Sequence, residues 1–170
     1  KFNLDFNKPN FLKVPNPLIQ KKFARIMSLK DGTKKMSKSD PSDLSRINLT
    51  DSEDEIINKI RKAKTDTESL PDNEIDLSKR PEAENLLGIY SSLTNQSLQN
   101  SINEFSGKNF SDFKKNLTDL IVAKIIPISN EINKLKKEKN FIDNVLSEGS
   151  VKADKISSNK VKEIKKIIGF

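Results

Sequence analysis

The sequence predicts a mainly helical protein introduced by a short α/β edge, and three observations lead there. From residue 50 onward apolar residues recur at three- and four-residue spacing, the signature of helices. The one stretch that reads as a strand, Ala24–Leu29, lies before that point and is bounded by the turn Lys30-Asp31-Gly32. Finally, 170 residues at 34% hydrophobic and 32% charged suffice for one domain, or one and a half small ones, with a helical core.

The elements follow in order. Residues 1–29 carry short apolar stretches broken by Pro9, Pro15 and Pro17. Lys1 stands where a Met would start a chain, and Phe2 to Phe6 reads as the interior of something already folded, so the chain is expected to be the C-terminal part of a longer protein. A basic, hydroxyl-rich loop, Thr33 to Ser39, closes at Asp40-Pro41. Thr50-Asp51-Ser52-Glu53 and Ser52-Glu53-Asp54-Glu55 both fit a capping box and place a helix start close to Ser52. Ile56, Ile60 and Ala63 give that helix an apolar face, and its acidic first turn and basic last turn (Lys59, Arg61, Lys62) suit the helix dipole. Thr65 to Arg80 is polar and turn-rich, a predicted loop of about fifteen residues.

Pro81 fits the first turn of a second helix carrying Leu86, Ile89, Tyr90 and Leu93. A short helix around Leu98, Ile102 and Phe105 ends near Gly107. Ser111 to about Lys136 is the longest predicted helix, striped by Phe113, Leu117, Leu120, Ile121, Ile125, Ile128, Ile132 and Leu135 and kinked at Pro127. The last stretch places Val145, Gly149, Ala153, Ile156, Val161, Ile164 and Ile168 on one side, where Gly149 and Ala153 would admit a second helix closely.

With no Cys and no His, the chain cannot build a zinc site, a Cys nucleophile, a Ser-His-Asp triad or a His general base. No apolar run approaches the roughly 20 residues that span a bilayer, and the N-terminus shows no secretory pattern. The expectation is a cytoplasmic protein, with an organellar matrix as the other compartment. Net charge is +7, from 31 Lys+Arg against 24 Asp+Glu. That favours polyanionic partners such as nucleotides or nucleic acid, although a Lys-, Asn- and Ile-rich composition also arises from nucleotide bias in a gene.

The chemistry-bearing segment is Lys35-Met36-Ser37-Lys38-Ser39, or KMSKS. Two ammonium groups three residues apart, among small hydroxyl residues on a loop after a strand, can fold over a polyphosphate. Lys supplies point charges, and Ser hydroxyls and backbone N–H groups supply hydrogen bonds. Read without further context, the same five residues are a solvated basic loop.

The context is the block from Ala24 to Ser42 (ARIMSLKDGTKKMSKSDPS), which closely resembles the signature region of bacterial-type tryptophanyl-tRNA synthetases, class I enzymes. The resemblance continues through Ala63 to Glu68 (AKTDTE), Asn85 to Ser91 (NLLGIYS), the Phe113/Lys114 to Pro127-Ile128 helix and Ile168-Gly169-Phe170, colinearly over essentially the whole chain. Two positions depart from the family pattern. Gly32 stands where Pro is typical and is expected to loosen the hinge before the loop; Phe23 stands where Gly is frequent.

The resemblance implies that residues 1–50 are the C-terminal part of a Rossmann-type catalytic domain. It makes residues 51–170 a helical-bundle anticodon-binding domain, with the terminal helix packing back on the catalytic domain. It implies a tryptophan–tRNA ligase working on ATP with Mg²⁺, L-tryptophan and tRNA(Trp), homodimeric when full-length. Lys35 and Lys38 match the catalytic lysines that hold the phosphates and stabilise the leaving pyrophosphate. Met36, Ser37 and Ser39 complete the ATP-binding loop, and Ile26 matches a strand position whose backbone lies against the adenine; by periodicity alone Ile26 is a buried strand residue. No protein ligand for a metal is visible. The tryptophan pocket and the HIGH-related phosphate motif belong to the absent half, so this chain alone is expected to be inactive. Lys59, Arg61, Lys62, Lys64 and the Lys134 to Lys139 cluster are candidate contacts to tRNA phosphates, against the plainer reading of solvated helix faces. The alternatives are a tyrosyl relative and a non-catalytic helical tRNA-binding module.

Overall fold

The structure, a computed structural model, describes residues 1–19 and 23–170. It is mainly helical: α1 (Phe2–Asp5), a two-stranded hairpin of β1 (Met27–Ser28) and β2 (Asp31–Lys35), a 3₁₀ turn at Asp43–Ser45, then α2 (Glu53–Lys62), α3 (Glu74–Leu77), α4 (Pro81–Thr94), α5 (Leu98–Phe105), α6 (Phe110–Leu135) and α7 (Lys139–Ile168). The chain divides into two compact units: Lys1–Ile19 with Lys134–Phe170, and Gln20–Asn133.

In the first unit Phe2 stacks near Phe6 and Phe11, at 4.8 and 5.8 Å between ring centroids, and the Lys160 ammonium sits 4.1 Å from the Phe11 ring centroid. Helix α7 buries none of its residues. Gly149, expected to admit a close helix, has no atom within 4 Å of where a Cβ would sit.

The second unit holds the core. Ser52 caps α2 as the sequence indicates: its hydroxyl accepts the Glu55 N–H, and the Glu55 carboxylate accepts the Ser52 N–H at 2.7 Å. Ile56, Ile60 and Ala63 are buried on that helix, beside Leu86 and Leu87 of α4, Ile102 and Phe105 of α5, and Phe113, Leu117 and Ile121 of α6. Pro81 takes the first helical position of α4. Tyr90 rests edge-on against Phe105 at 4.8 Å, as a core aromatic.

Several sequence expectations are corrected. The Ala24–Leu29 strand shrinks to Met27–Ser28, and Met27 is tied to α4: its N–H donates to Asn85 Oδ1 and its C=O accepts from Asn85 Nδ2, both at 2.8 Å. The predicted Thr33–Ser39 loop is strand up to Lys35, which pairs across from Met27. The Thr65–Arg80 loop contains α3 and is ordered by burial of Leu70 and Leu77 and by Arg80, which pairs with Asp66 and donates to the Ser69 carbonyl. The α6 stripe is fully buried only as far as Ile121; Ile125 still packs on the core half-buried, and Ile128 is 45% exposed.

Gly32 is no loosened hinge. It is buried, and a Cβ there would lie 2.6 Å from Pro81 C and Glu82 N, so the hairpin backbone packs directly on the first turn of α4. Gly32→Ala should therefore lower stability by about 1–3 kcal/mol, the usual cost of overpacking, seen as a reduced urea midpoint at unchanged slope. Phe23 has φ +52°, the left-handed region where glycine is at ease, which gives a physical reason for a glycine preference there. Its ring occupies the space over Gly88, within 2.2 Å of a Cβ placed there.

Candidate functional site

The KMSKS segment begins on the last residue of β2 and crosses to the 3₁₀ turn, and it is fastened at both ends. On the strand side, the Met36 N–H donates to the Ile26 carbonyl at 3.0 Å. The half-buried Met36 and Ile26 side chains line one apolar cavity of about 190 Å³ with Leu29, Ile47, Ile89 and Ile125. The hairpin below is wired to the helices through Leu29, whose N–H donates to the Ser45 carbonyl and whose carbonyl accepts the Lys64 N–H at 2.7 Å.

On the far side the fastening is ionic. Arg46 donates through Nη1 to the Asp40 carbonyl (3.0 Å) and the Ser42 carbonyl (3.4 Å), through Nε to Asn48 Oδ1 (3.1 Å), and pairs with Asp43 at 3.1 Å. Asp43 and Asp51 each accept from Lys59 Nζ at 2.6 Å, and Asp51 accepts the Asn48 N–H. The Asp43 carboxyl lies below its ordinary value, chiefly through the hydrogen bond from Lys59 and then that from Asn48. For Lys59, burial opposes the charge, but its bonds to Asp43 and Asp51 outweigh that and raise its value. The turn between the strands is held by Asp31, which accepts the Thr33 hydroxyl at 2.6 Å and pairs with Lys34; the Thr33 bonds, led by the hydroxyl, bring its carboxyl down to about 2.

Between these anchors the tip, among the described residues, bonds only to itself. Ser37 and Ser39 hydroxyls lie 3.0 Å apart, the Ser39 N–H donates to Ser37 Oγ, and the Asp40 N–H donates to the Ser37 carbonyl. Lys35, Ser37, Lys38 and Ser39 are all exposed. Their cationic neighbours are engaged: Lys30 with Ser42, Lys34 with Asp31, Lys64 with Glu82. Among the described residues the Lys35 and Lys38 ammonium groups have neither an ion-pair nor a hydrogen-bond partner, whereas Lys30 is held by a hydroxyl and Lys34 and Lys64 by carboxylates, so the two charges are presented to solvent.

The sequence missed the Arg46–Asp43–Lys59–Asp51 chain and misplaced Lys59. Read as a surface cation of a helix end, it is a buried one, its side chain 3% exposed, and cannot reach a phosphate. Lys64 is spoken for by Glu82 at 2.8 Å. The signals were present as an Asp43/Arg46 pair three residues apart and an acidic residue, Asp51, just ahead of a helix carrying a lysine two turns in. Among the described residues no group of three or more acidic, His or Cys side chains could hold a metal ion, and no helix is long and apolar enough to cross a membrane.

The family model for class I tRNA synthetases of the tryptophan and tyrosine group matches residues 1–126, and the chain belongs to that family. Its relatives sharpen the picture. The tryptophan–tRNA ligase of Caulobacter vibrioides is 44% identical over 170 residues, covering 100% of this chain and 49% of its own length. That of Mesorhizobium japonicum is 50% identical over 160 residues, covering 94% of this chain and 45% of its own. Among solved structures, the tryptophanyl-tRNA synthetase of Mycoplasma pneumoniae superposes with a TM-score of 0.76 at 27% identity, over 99% of this chain and 49% of that one. The chain thus spans about half the length of the curated relatives it matches.

Proposed function

We propose that this chain is the C-terminal half of a tryptophan–tRNA ligase and that its KMSKS loop handles the polyphosphate of ATP. The observation that carries the proposal is the doubly anchored loop whose only uncommitted charges, Lys35 and Lys38, face solvent three residues apart. In the reaction a carboxylate oxygen of tryptophan bonds to the α-phosphorus of ATP as the bond from that phosphorus to the bridging oxygen breaks. Pyrophosphate leaves, and the tRNA 3′-terminal hydroxyl then takes the acyl group, releasing AMP. Charge collects on the departing pyrophosphate, and ammonium groups that meet it there stabilise the transition state more than the ground state. Lys35 and Lys38 supply that charge, Ser37, Ser39 and the backbone N–H groups of the tip supply hydrogen bonds, Met36 seats the loop, and the Ile26 backbone lies beside the adenine. Nothing in the chain acts as a covalent nucleophile; positioning and electrostatics do the work. Mg²⁺ would come with ATP and would supply charge neutralisation to its phosphates; among the described residues no acidic cluster could hold it.

Residues 1–50 are assigned to the end of the Rossmann-type catalytic domain and 51–170 to the anticodon-binding domain. The exposed apolar positions of α7, Val145, Leu146, Ile156 and Val161 among them, are the face that packs on the catalytic domain. The full-length protein is a cytoplasmic homodimer with tRNA(Trp) as its macromolecular substrate.

The test is ATP–pyrophosphate exchange by the full-length protein with tryptophan, tyrosine or neither, since the family includes both specificities. Tryptophan-dependent exchange is expected. Exchange with tyrosine alone, or with neither, overturns the proposal. The isolated 170-residue chain, which spans about half the length of its relatives, should show no exchange if the tryptophan pocket is formed by the other half.

A further inference from the structure

We propose that Arg46 is the positioning residue of the loop: it fixes Lys38 where the departing phosphate needs it, although Arg46 itself touches no substrate. This rests on the polyphosphate role assigned to Lys38. On the strand side the tip is fixed by the Met36–Ile26 backbone bond and apolar seating. On the other side, one guanidinium spans the two carbonyls that end the tip, Asp40 and Ser42, while its remaining donors are taken by Asn48 and Asp43.

Only a planar fork with several donors can meet carbonyls on one edge and a carboxylate and amide on the other; an ammonium cannot. The fork is in turn held by α2, since Asp43 and, through Asn48, Asp51 both lead to Lys59. Asp40 reinforces the geometry by accepting the Ser42 N–H at 2.7 Å. Lys38 lies two residues before Asp40, with no partner of its own among the described residues, so what sets its average position is this anchor. The guanidinium is largely covered, its side chain 17% exposed, and so is placed to orient the backbone and not to meet a ligand.

The experiment is a double-mutant cycle in the full-length protein: wild type, Arg46→Met, Lys38→Ala and both together. Each is assayed by tryptophan-dependent pyrophosphate exchange normalised to active sites by titration. Arg46→Met should lower kcat between about tenfold and a hundredfold, the effect of an ångström-scale misplacement of a reacting group, with KM for tryptophan unchanged. In the Lys38→Ala background the same substitution should change the rate by less than twofold, because the group it positions is gone. Arg46→Lys, which keeps the charge and loses the fork, should behave like Arg46→Met; it also serves if Arg46→Met fails to fold. A normalised rate untouched by either Arg46 variant, or a full loss repeated on top of Lys38→Ala, overturns the proposal. If Lys38→Ala alone leaves exchange intact, the polyphosphate role of the loop fails instead, and the two failures are told apart.

Discussion

Lys38→Ala in the full-length protein should reduce tryptophan-dependent pyrophosphate exchange by about a hundred- to a thousandfold, with little change in folding stability. The magnitude is that of one electrostatic contact made mainly in the transition state, about 2.7–4 kcal/mol. Stability is spared because Lys38 is exposed and engages no partner among the described residues, and such surface substitutions stay within about 0.5 kcal/mol. The loss should fall on kcat, since a charge that meets pyrophosphate only as it departs contributes little to ground-state binding. Lys34→Ala is the internal control: this lysine is spent on Asp31 at 3.3 Å, and its removal should leave exchange within about twofold. Stopped kinetics in which Lys38→Ala raises KM for ATP at unchanged kcat would show uniform binding instead, and would count against a transition-state role.

What the sequence made legible was whatever local chemistry determines. The Ser52–Glu55 capping box, Pro81 at a helix start and the Ile56/Ile60/Ala63 face depend on residues within a turn or two of each other, and each is where it was expected. What it hid depends on partners distant along the chain. Asn85 satisfies both backbone groups of Met27 from 58 positions away, a tie that nothing in the local sequence announces. Gly32 reads as a flexible residue until Pro81 and Glu82 arrive against it. The same holds at the candidate site. The two lysines of the motif announce themselves by spacing. Their supports, Arg46 and Lys59, look like ordinary cations of a basic chain, because only the fold brings Asp43 and Asp51 onto one ammonium. The Thr65–Arg80 segment is polar by count, yet Leu70 and Leu77 are its two anchors in the core.

Lys59→Met is the substitution with the largest expected effect on stability. It keeps the aliphatic stem and removes the cation, leaving the Asp51 carboxylate, 6% exposed, with no counter-charge, and Asp43 with only Arg46 and Asn48. Breaking a buried pair in this way costs about 3–5 kcal/mol, a large share of a typical domain's margin. The pH dependence follows from the directions of the shifts. Asp43 is held below its ordinary 3.8, so its contribution is complete above that value and is lost as pH falls through the folded one. Lys59 is raised above its ordinary 10.5, so its contribution is complete below that value and is lost as pH rises through the folded one. The wild-type advantage over Lys59→Met, measured by urea unfolding, should therefore be flat across neutral pH, shrink in strong acid and shrink again in strong base. Adding Asp51→Asn to Lys59→Met should recover part of the loss, since the cost comes from an uncompensated buried charge more than from a missing bond. Should the double variant be less stable than Lys59→Met, the lysine acts by filling space, and the ionic account of the anchor fails. If it recovers, the charge chain from α2 to the base of the KMSKS loop is the element whose integrity decides both the stability of this unit and the position of its reactive lysine.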